Sequence, residues 1–178
     1  NFLKKVIEIF QEDNQIGLIG MVGRKELPEK LLVAADWDVG NITFNGGSIK
    51  KEPIESEKFT EVETVDGLIL ITQYDVDWRS DLFDGWDFYD ISQCEEFRRV
   101  GYKVVVPYQG EAWCYHDNTY SHLEKYFLYQ KVFCQEYQDI KKFENRLTSD
   151  DYAELEKTVQ ELKRKMQYMV NNGERYQL

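Results

Sequence analysis

Asp84-Gly85-Trp86-Asp87-Phe88-Tyr89-Asp90-Ile91-Ser92-Gln93-Cys94-Glu95-Glu96-Phe97-Arg98-Arg99-Val100-Gly101-Tyr102 is the stretch whose reading decides the fold. Between Phe83 and Asp90 it crowds three carboxylates and four aromatics into one turn. From Phe88 to Val100, polar residues interleave with Ile91, Cys94 and Phe97 at helical spacing, and Gly101 stands where a left-handed cap ends a helix. Tyr102 to Val106 then alternates as a strand closed by Pro107. Upstream, Val65 to Thr72 is mostly β-branched or aliphatic and flanked by charge, which predicts a central strand. A strand, an acidic aromatic turn, a helix and a second strand make an α/β unit, and such turns are where α/β folds bind ligands.

Working toward the N-terminus, Ile16 to Val22 is a short apolar run broken by Gly17 and Gly20 and reads as a buried strand. Gly17, Gly20 and Gly23 lack the spacing and the following helix of a dinucleotide fingerprint, so close backbone packing is their expected role. Arg24 to Glu61, with its Gly and Pro residues, reads as loops with one or two short strands. Phe2, Val6, Ile9 and Phe10 fall at helical spacing from the first residues, and Asn1 is not a methionine. The chain therefore reads as entering a domain partway through, with more of it upstream.

The last third differs in kind. Tyr126, Phe133, Ile140 and Leu147 recur every seven residues, and Tyr152, Leu155, Val159, Leu162, Met166 and Met169 alternate three and four. Two antiparallel helices are expected, the second capped by Thr148 or Ser149 and closed by Gly173. The expected division is residues 1–118 as the α/β part and 119–178 as a C-terminal α-helical hairpin that packs on itself or on the domain, with self-association as the second reading.

Composition narrows the function classes. The net charge of −11 over 178 residues is spread along the chain with no clustered basic face, which argues against nucleic acid. No apolar run approaches the roughly 20 residues that span a bilayer. Cys94, Cys114 and Cys134 are too widely spaced for a disulfide framework or a zinc site and suit reduced thiols in a cytosolic compartment. The sequon Asn41-Ile42-Thr43 carries no weight without a secretory signal.

Chemistry concentrates at the acidic turn. Asp90 falls at a helix start, where backbone N–H groups and the helix dipole favour an anion. An N-cap or first-turn aspartate with no other duty is the plain alternative. The neighbouring aromatics favour a ligand, since exposed Trp and Tyr beside a carboxylate form a platform for a sugar ring. His116, between Trp113 and Asp117, is a candidate metal ligand beside its other reading as a hydrogen-bonded structural histidine.

The run Asp66-Gly67-Leu68, then Trp78-Arg79, then Phe83 to Asp90, then Glu96-Phe97-Arg98-Arg99-Val100-Gly101-Tyr102-Lys103-Val104-Val105 and Trp113-Cys114-Tyr115-His116-Asp117 resembles the second half of a bacterial glycosyltransferase-like family. That family is related to the large family-two inverting enzymes, and the match covers roughly the first two thirds of the chain. In those enzymes an acidic pair opens a helix ending in Arg-rich sequence, Gly and an aromatic, and its Asp is the base for the acceptor hydroxyl. The register from Gly101-Tyr102 puts that role on Asp90. Tyr89 stands where the family has a further acid, and Ser92 where a second Asp is common.

The resemblance implies an α/β fold, a partial GT-A-like mixed sheet of the nucleotide-diphospho-sugar transferase kind, with the nucleotide-binding half upstream. It implies sugar transfer from a nucleotide-sugar donor to a glycan or other hydroxyl acceptor, with inversion, in cytoplasmic glycan biosynthesis, at most peripheral to the inner face of the membrane. Asp90 would be the base, and Asp66, Gly67, Trp86, Asp87, Tyr89 and Trp113 would contact substrate. A divalent metal, Mn or Mg, is expected for the full-length enzyme, with His116 as a ligand. The family's Asp-x-Asp metal motif belongs to an earlier strand, so Asp36-Trp37-Asp38 and Asp75-Val76-Asp77 read as solvated turn acids. The rivals are a non-catalytic carbohydrate-binding or assembly module, and a metal-dependent hydrolase built on Asp75, Asp77 and His116.

Overall fold

The structure, a computed structural model, describes residues 2–28, 37–44, 47–51, 58–116 and 125–140, with Ala153, Lys157, Gln160 and Arg164 beyond them. Helix α1 (Phe2–Glu12) turns Val6 and Ile9 into the core, as its spacing requires, and leads into strand β1 (Ile16–Ile19), every residue of which is buried. β1 runs parallel to β8 (Lys103–Pro107) and antiparallel to β7 (Ile71–Thr72), and β8 pairs antiparallel with β5 (Phe59–Val62). The result is a mixed four-stranded sheet in the order β5-β8-β1-β7, with β1 and β8 at its centre. A second sheet has β3 (Val39–Phe44) between β4 (Gly47–Lys51) and β2 (Val22–Arg24), with β6 (Thr64–Val65) beyond β2 and β9 (Tyr115–His116) pairing parallel with β3.

The chain passes from one sheet to the other at Gly20. Its N–H still donates to the Val105 carbonyl of β8 at 3.0 Å, and two residues later Val22 has joined the second sheet. Close packing explains the glycines of this segment. A Cβ on Gly17 would lie 2.5 Å from Cδ1 of Phe97, and one on Gly20 would run into the side chain of Val65. Helix α2 (Tyr89–Arg99) thereby rests directly on β1, with Cys94 and Phe97 buried beneath it. Its C-terminus closes as the sequence predicts. Gly101 takes φ +89°, its N–H donates to Arg98 O and that of Tyr102 donates to Phe97 O, both at 3.0 Å, while the rings of Phe97 and Tyr102 meet at 6.1 Å. Arg98 and Arg99 in the last turn suit the negative end of the helix dipole.

The strand expected over Val65 to Thr72 is not continuous. β6 ends at Val65, a turn follows, and β7 contributes only Ile71 and Thr72 at the edge of the first sheet. The reason is the pair Asp66-Gly67. The Asp66 carboxylate accepts the N–H of Leu68 at 3.0 Å, a side-chain turn that competes with strand pairing. Leu68, Ile69 and Leu70 are still packed, against the two clusters that make up the sheet core, so their apolarity serves burial without serving a ladder. Among the described residues after Arg24, β3, β4 and the start of β5 form before Glu61, where the turn signals suggested one or two short strands.

A third core cluster lies under the acidic turn. Phe83 and Phe88 pack on Tyr129, Phe133, Cys134 and Tyr137 of helix α3 (Tyr126–Glu136) and its C-cap, with Leu27 beside them. The heptad positions Tyr126 and Phe133 thus face the turn, whereas Ile140 lies past the helix and is exposed. The second helix of the expected hairpin falls mostly outside the described residues. Ala153, Lys157, Gln160 and Arg164 within it are helical and exposed, on the face opposite to its expected apolar seam. Among the described residues no helix is long and apolar enough to cross a membrane.

Candidate active site

The site is assembled from three places in the chain: the turn after β6, the start of α2 and the start of α3. Phe88, the N-cap of α2, has φ 64° and ψ −4°, a left-handed conformation that costs an L-residue roughly 1–2 kcal/mol. It is the one non-glycine residue with positive φ among the described residues, and such positions cluster where function holds the backbone against its preference. Burial of its ring at 4.9 Å from that of Tyr126 and 5.5 Å from that of Phe133 holds it there. Asp84 at the other end of the turn is tied to α3 by the hydroxyl of Tyr129 and by Lys125.

Asp90 in the first turn of α2 reaches across to the β6 turn. One carboxylate oxygen accepts the Gly67 N–H at 2.8 Å and the other the Ile91 N–H at 2.9 Å. The hydroxyl of Tyr89 donates to the Gly67 carbonyl at 3.1 Å, so Gly67 is held from both sides. Beneath, the thiol sulfur of Cys94 accepts the N–H of Val65 at 3.4 Å, which stitches the end of β6 to α2. There is no room for a side chain at position 67, because a Cβ would overlap the Tyr89 hydroxyl and lie 2.6 Å from Cζ of its ring. Gly67→Ala is therefore expected to displace Tyr89 and Asp90 and to slow roughly 100-fold any reaction that depends on their placement, since small misplacements of reacting groups carry costs of that order. The check is the turnover rate measured beside an unchanged far-UV spectrum.

Electrostatics single out the same carboxylate. Burial, and after it the negative charge of Asp66, push the Asp90 carboxyl up to about 7, despite the N–H groups of Ile91 and Gly67 that favour its anion. Asp66 is also raised, mainly by burial, with the Leu68 N–H and a nearby His116 acting the other way. Burial raises Asp87 too, and lifts the phenol of Tyr89 to about 12, helped by Asp90 and Asp66. Tyr126 of α3 is raised by burial and by the charges of Asp87 and Asp90, which puts α3 at the site and not only beneath it.

The structure thus brings Asp66, Gly67, Tyr89 and Asp90 together, with Asp87 next to Tyr126 and Trp86 on the rim, its ring 6.2 Å from that of Tyr89. Trp113 is placed elsewhere. Its ring meets Phe2 of α1 edge-on at 5.3 Å and has Lys5 over it at 5.6 Å, so it closes the core beside α1. His116, on β9, neighbours Asp66, and its Nδ1 is buried with no hydrogen-bond partner among the described residues. Asp75 and Asp77 are exposed, in keeping with solvated acids, and Asp38 is exposed as well. They are not gathered with His116: no group of three or more His, Cys, Asp or Glu among the described residues is close enough to hold a metal. Asp36 and Asp117 lie outside the described residues.

Two residues escaped the sequence reading. Trp78 stacks beside Tyr89 at 6.2 Å and joins the aromatic surface, and Tyr126 contributes from α3. Trp78 stood in the resembling run, but neither its position nor that of Tyr126 carries a local signal of proximity to Asp90.

A mixed sheet carrying an acidic turn at a helix start, with the preceding strand's turn hydrogen-bonded to that acid, is a partial GT-A-like fold of the nucleotide-sugar transferase class. The comparison with protein families agrees: residues 1–137 match the family described as "Glycosyltransferase like family", and the chain belongs to it. The match runs through α3, the helix that supports the turn. No curated protein matches the chain.

Proposed function

We propose that this chain forms the acceptor side of an inverting glycosyltransferase that moves a sugar from a nucleotide-sugar donor to a hydroxyl group, with Asp90 as the base. The observation that carries the reading is the Asp90 carboxylate, partly buried, oriented by two N–H groups and raised to about 7, where a general base works best near neutral pH. In the transfer, the acceptor O–H gives its proton to Asp90 as its oxygen bonds to the anomeric carbon. The bond from that carbon to the diphosphate breaks, and the nucleoside diphosphate leaves with the electron pair. Asp66, Asp87, Gly67, Tyr89 and Trp86 line the approach to the base.

A divalent cation, Mn or Mg, fits one part of the site. The buried Nδ1 of His116 has no hydrogen-bond partner among the described residues, and the Asp66 carboxylate near it would share such an ion. When bound, the ion would neutralise charge on the departing diphosphate. Bacterial glycan biosynthesis in the cytoplasm is the setting this reading suits.

A non-catalytic carbohydrate module would need the aromatic rings but has no use for a raised carboxylate held by paired N–H groups. The test is an assay of the complete gene product for nucleoside-diphosphate release from nucleotide sugars, with and without glycan acceptors, in Mn or Mg. Acceptor-dependent release is expected. Glycan binding without release in any donor and metal combination would sink the transferase reading.

A further inference from the structure

The aromatic surface beside Asp90 is larger than a single sugar needs. The ring of Tyr89 lies 6.2 Å from that of Trp78 at 28° and 6.2 Å from that of Trp86 at 83°. Trp78 and Tyr89 are thus stacked with their planes 28° apart, and Trp86 meets Tyr89 edge-on, so the three rings form one continuous aromatic surface. Trp86 is 85% exposed and Trp78 48%, a concentration of open apolar surface that proteins keep where something binds.

Trp78 is presented by a backbone fixed on both sides. Before it, the Val76 carbonyl accepts Nε2 of Gln93 from α2 at 2.9 Å. After it, the Arg79 guanidinium holds Asp81 at 2.9 Å and Glu136 of α3 at 2.5 Å, while the Arg79 carbonyl accepts the N–H groups of Leu82 and Phe83. Bonds that fix a segment on both sides reduce the entropy lost when a ligand binds to it.

Charge limits what can lie there. Residues 75–90 contain six aspartates and a single cation, Arg79, already paired with Asp81 and Glu136. Lys125 offsets Asp84 and Arg79 offsets Asp81, but among the described residues no such cation is in contact with Asp87 and Asp90 beside the rings. An anionic sugar there would meet repulsion, whereas an uncharged one would present C–H faces to the rings and hydroxyls to the carboxylates.

We propose that the acceptor is an uncharged oligosaccharide of at least two sugar units, with the reacting unit over Tyr89 beside Asp90 and the next unit stacked on Trp78. Trp86 borders the reacting unit. Trp78 is then the residue that makes the enzyme an extender of an existing chain and not a modifier of single sugars. This rests on the reading of Asp90 as the base, which sets the end of the chain that reacts.

The experiment is a glycan array of neutral, amino-sugar and uronate-containing mono- to tetrasaccharides probed with the complete gene product. It is followed by tryptophan-fluorescence titration with the best-bound neutral trisaccharide and its constituent monosaccharide. Neutral di- to tetrasaccharides should be retained, with the monosaccharide weaker by about tenfold, the scale of one added ring contact. Trp78→Ala should remove that difference, and Trp86→Ala should weaken both ligands. Ile7→Ala, which trims an exposed apolar residue on α1, should change neither. Preference for anionic glycans, equal binding of monosaccharide and trisaccharide, an unaffected Trp78→Ala variant, or no glycan retained at all would each overturn the proposal. Acceptor-dependent nucleotide release with an unchanged KM in Trp78→Ala would overturn it while the transferase reading stands. Oligosaccharide binding lost in Trp78→Ala, but with no nucleotide release by the wild type, would keep the two-unit glycan site and overturn its assignment as an acceptor site together with the transferase reading.

Discussion

Asp90→Asn in the complete gene product should lower acceptor-dependent transfer by roughly 10²–10⁴-fold, the range that a positioned general base contributes. The amide has nearly the volume of the carboxylate and keeps an acceptor for one of the two N–H groups at 2.8 and 2.9 Å, so donor binding should survive. Near-normal turnover would remove Asp90 from the mechanism. The pH dependence gives a second, independent reading. Asp90 must be ionised to accept a proton, and burial together with Asp66 holds it up to about 7. The rate should therefore fall about tenfold per pH unit below that value and level off above it. Asp66→Asn takes away the charge that is the second cause of the shift, which lowers the Asp90 pKa and moves the acid limb toward lower pH. An acid limb near 4 in the wild type, or one that moves upward in Asp66→Asn, would contradict the electrostatic account.

Phe88→Ala is expected to produce the largest loss of stability, about 3–5 kcal/mol for truncating a fully buried phenylalanine. For a chain of this size that corresponds to a fall in Tm of roughly 10 °C. The ring is enclosed by Tyr126 and Phe133, and its backbone sits at φ 64°. Those two facts separate with a second variant. Phe88→Gly loses the same packing but adopts the left-handed conformation without a Cβ penalty. It should be more stable than Phe88→Ala by about 1 kcal/mol, reversing the usual order of the two residues near a helix. Chemical denaturation of both variants measures the difference. An alanine variant at least as stable as the glycine one would mean that the turn relaxes to ordinary φ when the ring is removed.

Much of the framework was legible because its signals are local. The periodicity of Phe2 to Phe10 specifies α1, and the register from Asp90 to Gly101 specifies α2 with its cap, since a helix and its terminator are written within a few residues of each other. Gly17, Gly20 and Gly23 were legible as packing positions, and the structure sets Phe97, Val65 and Thr64 against them. The strand over Val65 to Thr72 was misread for a physical reason: β-propensity counts apolar and branched side chains, and here those chains are buried without their backbone joining a ladder. What breaks the strand is the Asp66 side-chain bond to Leu68, together with the pull of Asp90 and Tyr89 on Gly67 from more than twenty residues away.

Helix α3 shows the same divide. Its repeat announces an apolar face, but a seam of Tyr126, Phe133 and Tyr137 is equally able to meet a second helix or a domain. Only the folded chain turns it onto Phe83 and Phe88, where it supports the acidic turn.

The sequence by itself determined the acidic aromatic turn, the helix that follows it and Asp90 as the carboxylate at its start. The tertiary structure decided the chemistry of that carboxylate: which N–H groups hold it, that Asp66 stands beside it, and that Trp78 joins Tyr89 and Trp86 while Trp113 does not. Helical periodicity and caps are properties of neighbours in sequence. Desolvation, charge coupling and ring stacking depend on distances between segments that only folding brings together.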